Sequence, residues 1–315
     1  MKAIIQDSYG PPSRVLRLAD LDKPAPGDGD VLLNVHAAGV NPLDWHYVLG
    51  TPYLARMSFG RPAPKIRVRG VDVSGQIEAV GKDVKQFRPG DEVFGWCAGA
   101  FAEYAAAPQD HFIAKPAAIS HEEAAAVPVA AVTALQGLRD FGKLKSGQLV
   151  LINGAAGGVG TYGVQIAKAM GAKVTGVCST RNVELVSSLG ADRVFDYTRQ
   201  DFTKDAQRYD LVFDNAGSQS IGALRRTLTP GGILVYNSGA SMSRIAMAQL
   251  LMRLGQKVYS YLANITHDDM VFLGGLIESK KLRSVIDKTY PLDETAAAVA
   301  YVAAGHARGK VVVTI

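Results

Sequence analysis

The stretch VLINGAAGGVGTYGVQIAKAMGA, residues 150–172, constrains this chain more than any other. An apolar run breaks into small residues and then resumes with helical periodicity. That order reads as a strand, a tight turn and a helix. Ala155, Gly157 and Gly160 occupy the three positions of a G-x-G-x-x-G pattern, with alanine in the first. The pattern alone is weak, because a strand-to-helix turn without a ligand also satisfies it. Its context is stronger: the loop follows a strand, opens a helix and lies in a βαβ unit of about thirty residues. Small residues there let the backbone approach a pyrophosphate. The helix N-terminus adds unpaired N–H groups and the positive end of the helix dipole. Ala155, Ala156, Gly157, Gly158, Val159 and Gly160 are therefore candidate dinucleotide contacts. No Lys-Ser or Lys-Thr pair closes the glycines, which disfavours a mononucleotide P-loop.

The surrounding sequence repeats the same alternation. LVLI (149–152), KVTGVC (173–178), RVFDY (193–197), LVFDNA (211–216) and GILVYN (232–237) read as strands. Helical segments near 158–171, 181–189 and 218–228 separate them, and KVYSYLA (257–263) reads as a sixth strand. Apolar strands alternating with helices predict a parallel sheet in an α/β domain. Residues before about 121 have a different texture. KAIIQ, VLLNVHAAGV, VSGQIEAVG, DEVFGW and AFAEYAAAP are short runs separated by Gly, Pro and Asp, as in a small barrel or sandwich. SHEEAAAVPVAAVTALQGLRDFG (120–142) is Ala-rich and helical, with Ser120 and Glu123 placed as a capping box. The tail holds a helix near 267–280, the segment SVIDKTYPL, a helix over 293–304 and a final strand KVVVTI. At 315 residues the chain is long for one core, so two domains are expected.

The second strand of the alternating region discriminates between dinucleotides. An NAD site wants Asp or Glu about 20 residues beyond the loop, to bind the ribose 2′-hydroxyl. Here Ser179 stands 19 residues after Gly160, followed closely by Arg181 and Asn182. Ser and Arg can hold a 2′-phosphate that a carboxylate would repel, so NADPH is the expected cofactor. Ser179 can also simply cap the following helix, and the two roles are compatible.

Composition narrows the remaining classes. The net charge is +5 and spread along the chain. The densest basic stretch, RPAPKIRVRG (61–70), reads as a solvated loop entering a strand. With no basic helix and no aromatic–basic recognition motif, nucleic acid is not an expected partner. AAAVPVAAVTALQGL (124–138) is too short to span a bilayer and contains Pro128, so no membrane partner is expected. Two cysteines, Cys97 and Cys178, cannot supply a structural zinc or a disulfide framework. MKAIIQDSYG has no signal-peptide character. Together these point to the cytoplasm.

AGVNPLDWH (38–46), VDVSGQIEAVGKDVKQFRPGDEVFG (71–95), GAAGGVGTYGVQIAKAMGA and ARGKVVV (307–313) are the segments that carry a family likeness. Nearly end to end, the chain resembles the zinc-independent quinone oxidoreductase branch of the medium-chain dehydrogenase/reductase superfamily. The resemblance implies an α/β protein. Residues 1–121 and 265–315 would form a GroES-like β-barrel catalytic domain, and 122–264 a Rossmann domain with a doubly wound parallel sheet for NADPH. It implies hydride transfer to a quinone or an α,β-unsaturated carbonyl; a 2-enoyl or alkenal reductase would share the mechanism. In zinc-dependent relatives a cysteine follows the GV of the first motif, where Asn41 stands here. Their Gly-His-Glu is Gly70, Val71 and Asp72 here, and their third ligand, a cysteine, falls near Val129. No thiolate or imidazole remains, so no metal is expected.

By the same resemblance Asn41 lies beside the nicotinamide and Thr133 near its ribose and amide. Tyr197 flanks the adenosine 2′-phosphate, Ser238 and Gly239 line the nicotinamide end, and Lys310 reaches the cofactor. Asn215, in LVFDNA, joins this set. Lys310 can instead be a solvated lysine at a strand start. Without a Lewis acid the substrate must accept hydride readily, and donors must stabilise the oxygen that gains charge, at about 3–4 kcal/mol per well-placed donor. His46, Tyr47 and Tyr53 are the candidates. Tyr53, in GTPY, is favoured, and His46 reads more simply as a loop histidine. The reading from another class is an NADPH-binding sensor or structural protein without turnover. Met57, Met242, Met247 and Met252 suit an adaptable apolar pocket or plain core filling. KVYSYLA can pair with a symmetry mate, so a homodimer is expected.

Overall fold

The longest strand, β3 (Asp30–Val40), has more edge than one neighbour can fill. In the computed structural model, which describes residues 1–237, 250–251 and 257–315, β4 (Asp72–Val80) runs antiparallel along one side of it. The other side is shared. β6 (Tyr104–Pro108) takes residues 30–34, and β15 (Lys310–Thr314) takes residues 37–40. β5 (Glu92–Trp96) and β7 (Phe112–Ala114) continue the sheet beyond β4, while β14 (Ile286–Pro291) lies parallel to β15. A separate hairpin pairs β1 (Lys2–Gln6) with β2 (Leu16–Asp20). Val31, Leu33, Val35, Val73, Ile77, Phe101 and Phe112 fill the core of this unit, each almost fully buried. The sequence reading named no strand at β2, β7 or β14; β7 has only three residues, and charged residues interrupt β2 and β14. RPAPKIRVRG enters no strand and contributes one isolated bridge, Ile5 to Val68. NPLDWHYVL opens a helix, Pro42–Leu49, whose capping box is built by Asn41 and Asp44.

Two compact units result: Met1–Ala130 with Ile265–Glu278 and Ser284–Ile315, and Ala131–Asn264 with Ser279–Arg283. The Ala-rich segment is helical as expected, and Ser120 Oγ accepts from the Glu123 N–H at 3.2 Å. Pro128, which lacks an N–H, divides it into helices His121–Ala125 and Pro128–Gln136.

The second unit is a parallel sheet in the order β10-β9-β8-β11-β12-β13. Its strands are β8 (Leu149–Asn153), β9 (Lys173–Cys178), β10 (Arg193–Asp196), β11 (Tyr209–Asp214), β12 (Leu228–Tyr236) and β13 (Val258–Ser260). Helices Gly158–Ala169, Val183–Ser188 and Ile221–Arg226 connect them. Leu151, Val177, Val212 and Leu234 fill its core. KVYSYLA shortens to the three residues of β13, at one edge of the sheet.

Candidate functional site

In the second unit the chain steps one way through β8, β9 and β10 and the other way through β11, β12 and β13. The carboxyl ends of β8 and β11 therefore flank the point where strand order reverses, the usual binding crevice of such sheets. The glycine loop leaves β8 there, with Gly157 as N-cap of the helix Gly158–Ala169. Its two later glycines serve different ends. A Cβ on Gly160 would lie 2.1 Å from the Gly154 carbonyl oxygen and 2.8 Å from Ala155 Cα, so helix–strand contact excludes one. A Cβ on Gly157 would meet only the Gly154 oxygen, at 3.5 Å. The chain leaves that space open, as an approaching pyrophosphate requires. Ala155 and Ala156 are buried beneath the loop, whereas Gly158 and Val159 are half-exposed in the first helical turn. Asn215 follows β11, and its N–H donates to the Asn153 carbonyl at 3.0 Å. Its Nδ2 is buried without a partner among the described residues, a donor suited to a polar ligand at the crevice. The residues present fit a dinucleotide.

Ser179 caps the turn Thr180–Asn182, and its Oγ accepts from Asn182 Nδ2 at 3.2 Å. Beside it opens a cavity of about 530 Å³, lined in part by Thr180, Arg181, Glu184, Asp196, Arg199 and Gln200. Ser179 and Tyr197 are not part of that lining, and Tyr197 is 59% exposed. Ser179, not an acid, stands at the end of the second strand, but two acids from elsewhere, Glu184 and Asp196, line the same cavity. Asp196 ends the third strand rather than the second, so counting from the loop overlooks it. Its oxygens accept from the Thr180 hydroxyl, from the Thr198 N–H at 2.9 Å and from the Thr198 hydroxyl at 2.6 Å, with Arg199 3.5 Å away. The Thr180 and Thr198 hydroxyls hold its carboxyl below the usual carboxylate range. Asp196 is therefore bonded within the protein, Arg199 included, and Arg181 lines the same cavity with Glu184. Thr133 is buried, and its carbonyl accepts from the Tyr261 hydroxyl, whose ring stacks on Phe141 at 4.4 Å. Ser238 and Gly239 lie outside the described residues, as do Met242, Met247 and Met252.

The first unit gathers a different set. Asn41 ends β3's run, Asp72 opens β4 and Lys310 opens β15, so three paired strands bring the residues together. Lys310 Nζ donates to Asn41 Oδ1 and lies 3.3 Å from Asp72 Oδ2. Asn41 Nδ2 donates to the same Asp72 oxygen at 2.9 Å, and the Val129 N–H donates to Oδ1 at 3.0 Å. Asn41, Asp72 and Lys310 are all nearly inaccessible, so the reading of Lys310 as a solvated lysine is excluded. Burial pushes the Asp72 carboxyl up, against the pull of Lys310 and Asn41. Asp44, one turn into the helix Pro42–Leu49, accepts the Asn41 N–H at 2.8 Å. Burial pushes its carboxyl up to about 7.

The donor candidates differ in setting. Tyr53 is 63% exposed, with the Arg56 guanidinium 4.5 Å over its ring. Tyr47 is half-buried, edge-on to Phe59 at 4.5 Å, with Arg69 5.7 Å from its ring. His46 Nδ1 lies 3.3 Å from the Thr51 hydroxyl, and burial lowers its basicity. Sequence reading gave Asp44 and Arg69 no role. N-x-x-D ahead of an apolar run was a visible signal for Asp44; nothing local signals a buried Arg69.

Compared with known proteins, residues 27–117 match the family described as alcohol dehydrogenase GroES-like domain, and residues 189–313 the family described as zinc-binding dehydrogenase. A mitochondrial NAD(P)H oxidoreductase of Mus musculus is 33% identical, over 91% of this chain and 82% of its own. A trans-enoyl reductase of Aspergillus terreus is 34% identical, over 92% and 87%. The solved quinone oxidoreductase of Coxiella burnetii superposes with a TM-score of 0.88 at 32% identity, over 100% of this chain and 99% of that one. The class is thus an α/β NAD(P)H-dependent oxidoreductase with a GroES-like and a Rossmann-like domain. Within it, the chain belongs to the medium-chain dehydrogenase/reductase superfamily, among the quinone oxidoreductase homologues. The zinc named in one family description finds no fitting donors. The resemblance sets Asn41, Val71 and a position near Val129 against the ligand positions, and no three His, Cys, Asp or Glu among the described residues could hold a metal. Burial pushes the Cys97 thiol up to about 12 and the Cys178 thiol up to about 11, so neither is a ready thiolate.

Proposed function

We propose that this chain reduces a quinone or an α,β-unsaturated carbonyl with NADPH and without a metal. The Asn41–Asp72–Lys310 cluster carries the reading. Where zinc-dependent relatives gather thiolates and imidazole, this chain gathers an amide, a carboxylate and an ammonium. Such a site cannot polarise an alcohol as zinc does, which favours substrates that accept hydride unaided.

When bound, the dinucleotide supplies the hydride. The chain binds and orients. First-turn N–H groups of the helix Gly158–Ala169 face the pyrophosphate, and Arg181, helped by Arg199, takes the 2′-phosphate. Lys310 and Asp72 hold both ends of the Asn41 amide, so Asn41 offers a fixed wall rather than a mobile side chain. Tyr53 or Tyr47 donates to the substrate oxygen. Burial raises Tyr47 and keeps its hydroxyl protonated near neutral pH, whereas His46, made less basic, is a poor proton source there. The likeness to a trans-enoyl reductase supports the enone alternative as much as the quinone one. The place of β13 at the end of the sheet supports a homodimer, and two free buried cysteines support a reducing compartment such as the cytoplasm.

Steady-state turnover with NADPH and NADH against a panel of quinones and enones tests the reading. Equal kcat/KM for the two cofactors overturns the NADPH assignment. Loss of activity on chelation, restored by zinc, overturns the metal-free one. NADPH binding without turnover on any acceptor assigns the chain to the non-catalytic class. Tyr47→Phe and Tyr53→Phe, compared in kcat, identify the donor.

A further inference from the structure

From Trp45 to Val71 the chain carries no Asp or Glu and five basic residues, Arg56, Arg61, Lys65, Arg67 and Arg69. The same stretch holds four of the ten large apolar side chains that are exposed among the described residues. Tyr53 is 63% exposed, Leu54 72%, Met57 75% and Ile66 52%. Such a cluster is unusual on a solvated surface. The backbone beneath is anchored. The Arg56 guanidinium donates to the carbonyls of Leu49 at 2.9 Å and Gly50 at 3.0 Å, and lies 4.4 Å over the Tyr9 ring. The Tyr9 hydroxyl donates to the Gly60 carbonyl at 2.7 Å. Leu54 and Met57, one turn apart, are thus held outward. Of the cations, Arg67 pairs with Asp7 at 2.6 Å and Arg69 is buried. Arg61 and Lys65 are exposed and have no ion-pair partner among the described residues.

We propose that this face docks on an anionic lipid surface. Leu54, Met57 and Ile66 enter the acyl boundary, and Arg61 and Lys65 meet lipid phosphates. The absence of acid across the stretch removes the repulsion that anionic lipid would otherwise meet. The helical turns Tyr53–Ala55 and Arg56–Phe59 are too short to offer a protein partner a groove or a continuous helix face. A lipid surface demands only charge and inserted apolar tips. Reading residues 61–70 as a plain solvated loop, with no membrane partner, counts the charges without the apolar side chains beside them. Docking is measured without turnover, so its failure leaves the proposed activity standing.

The test is flotation of the full chain with vesicles of phosphatidylcholine containing about a third phosphatidylglycerol, at low and at raised salt. The chain should float with these vesicles, stay behind with pure phosphatidylcholine, and be released by salt. Arg61→Glu/Lys65→Glu and Leu54→Ser/Met57→Ser should each lower the partition coefficient roughly tenfold, with circular dichroism and melting unchanged. No flotation with anionic vesicles, or flotation that both double variants retain, overturns the proposal. So does self-association in solution that Leu54→Ser/Met57→Ser abolishes while no vesicle binds, which assigns the face to a second copy of the chain.

Discussion

The two units build polarity in opposite ways. The second makes its crevice largely from backbone: a glycine loop, a helix N-terminus and strand ends, with room left beside Gly157. The first makes its polar cluster from side chains, sealed from solvent and bonded to one another. An open backbone site tolerates the loss of its ligand because water replaces it. A sealed side-chain site does not tolerate the loss of a member, because nothing replaces it. Substitutions in the second unit should therefore separate binding from folding, whereas in the first the two should fall together.

The largest effect should come from Lys310→Met. It strands the Asp72 carboxylate in a site closed to solvent and should cost about 3–5 kcal/mol of stability by denaturant titration. Adding Asp72→Asn should recover part of that loss, and a double variant no more stable than the single would break the argument. Next comes a pH effect. Asp44's carboxyl is raised from an ordinary value near 3.8 to about 7. The folded chain thus holds this proton more tightly than the unfolded one. The associated stability is present below about pH 4 and is lost as pH rises to about 7, on the order of 2–4 kcal/mol. Asp44→Asn should remove that decline, seen as a difference between the two chains' melting curves across the window. Parallel curves would mean that Asp44 is not buried as described.

Within the second unit, two glycines three positions apart sharpen the contrast. Gly157→Val should leave folding intact and weaken NADPH at least a hundredfold, about 3 kcal/mol by calorimetry. Gly160→Ala should instead destabilise the unit by about 1–3 kcal/mol, because its methyl meets backbone. A folded Gly157→Val chain with native affinity would refute the loop assignment. The smallest effect is Arg181→Ala. It should weaken NADPH roughly tenfold, about 1.4 kcal/mol, and leave NADH nearly unchanged. An equal loss for both cofactors would mean that Arg181 contacts something other than the 2′-phosphate.

Legibility in the sequence followed the same division. The second unit declares itself because its fold and its site share one local pattern, and KVTGVC corresponds residue for residue to β9. Asp196 escaped because its part in the site depends on sheet order, with β10 beside β9. In the first unit the strands were visible, but their neighbours were not. Asn41 and Lys310 are 269 positions apart, and no spacing rule connects them. Only the family likeness singled out both, and it could not say that they touch. Arg69 sits in a run of exposed cations and is buried because its backbone bonds to Ile4 and Phe101 draw it inward.

β3 receives half of one edge from β15, and that has a consequence for the order of events at the ribosome. At about 5–20 residues per second, roughly a quarter of a minute to a minute passes between the synthesis of Asn41 and of Lys310. The second unit's sheet is complete well before then. Throughout that interval β3 offers an unpaired edge, and Asp72 has no cation. The half of the molecule made first is the half that must be kept from aggregating until the second half is already folded.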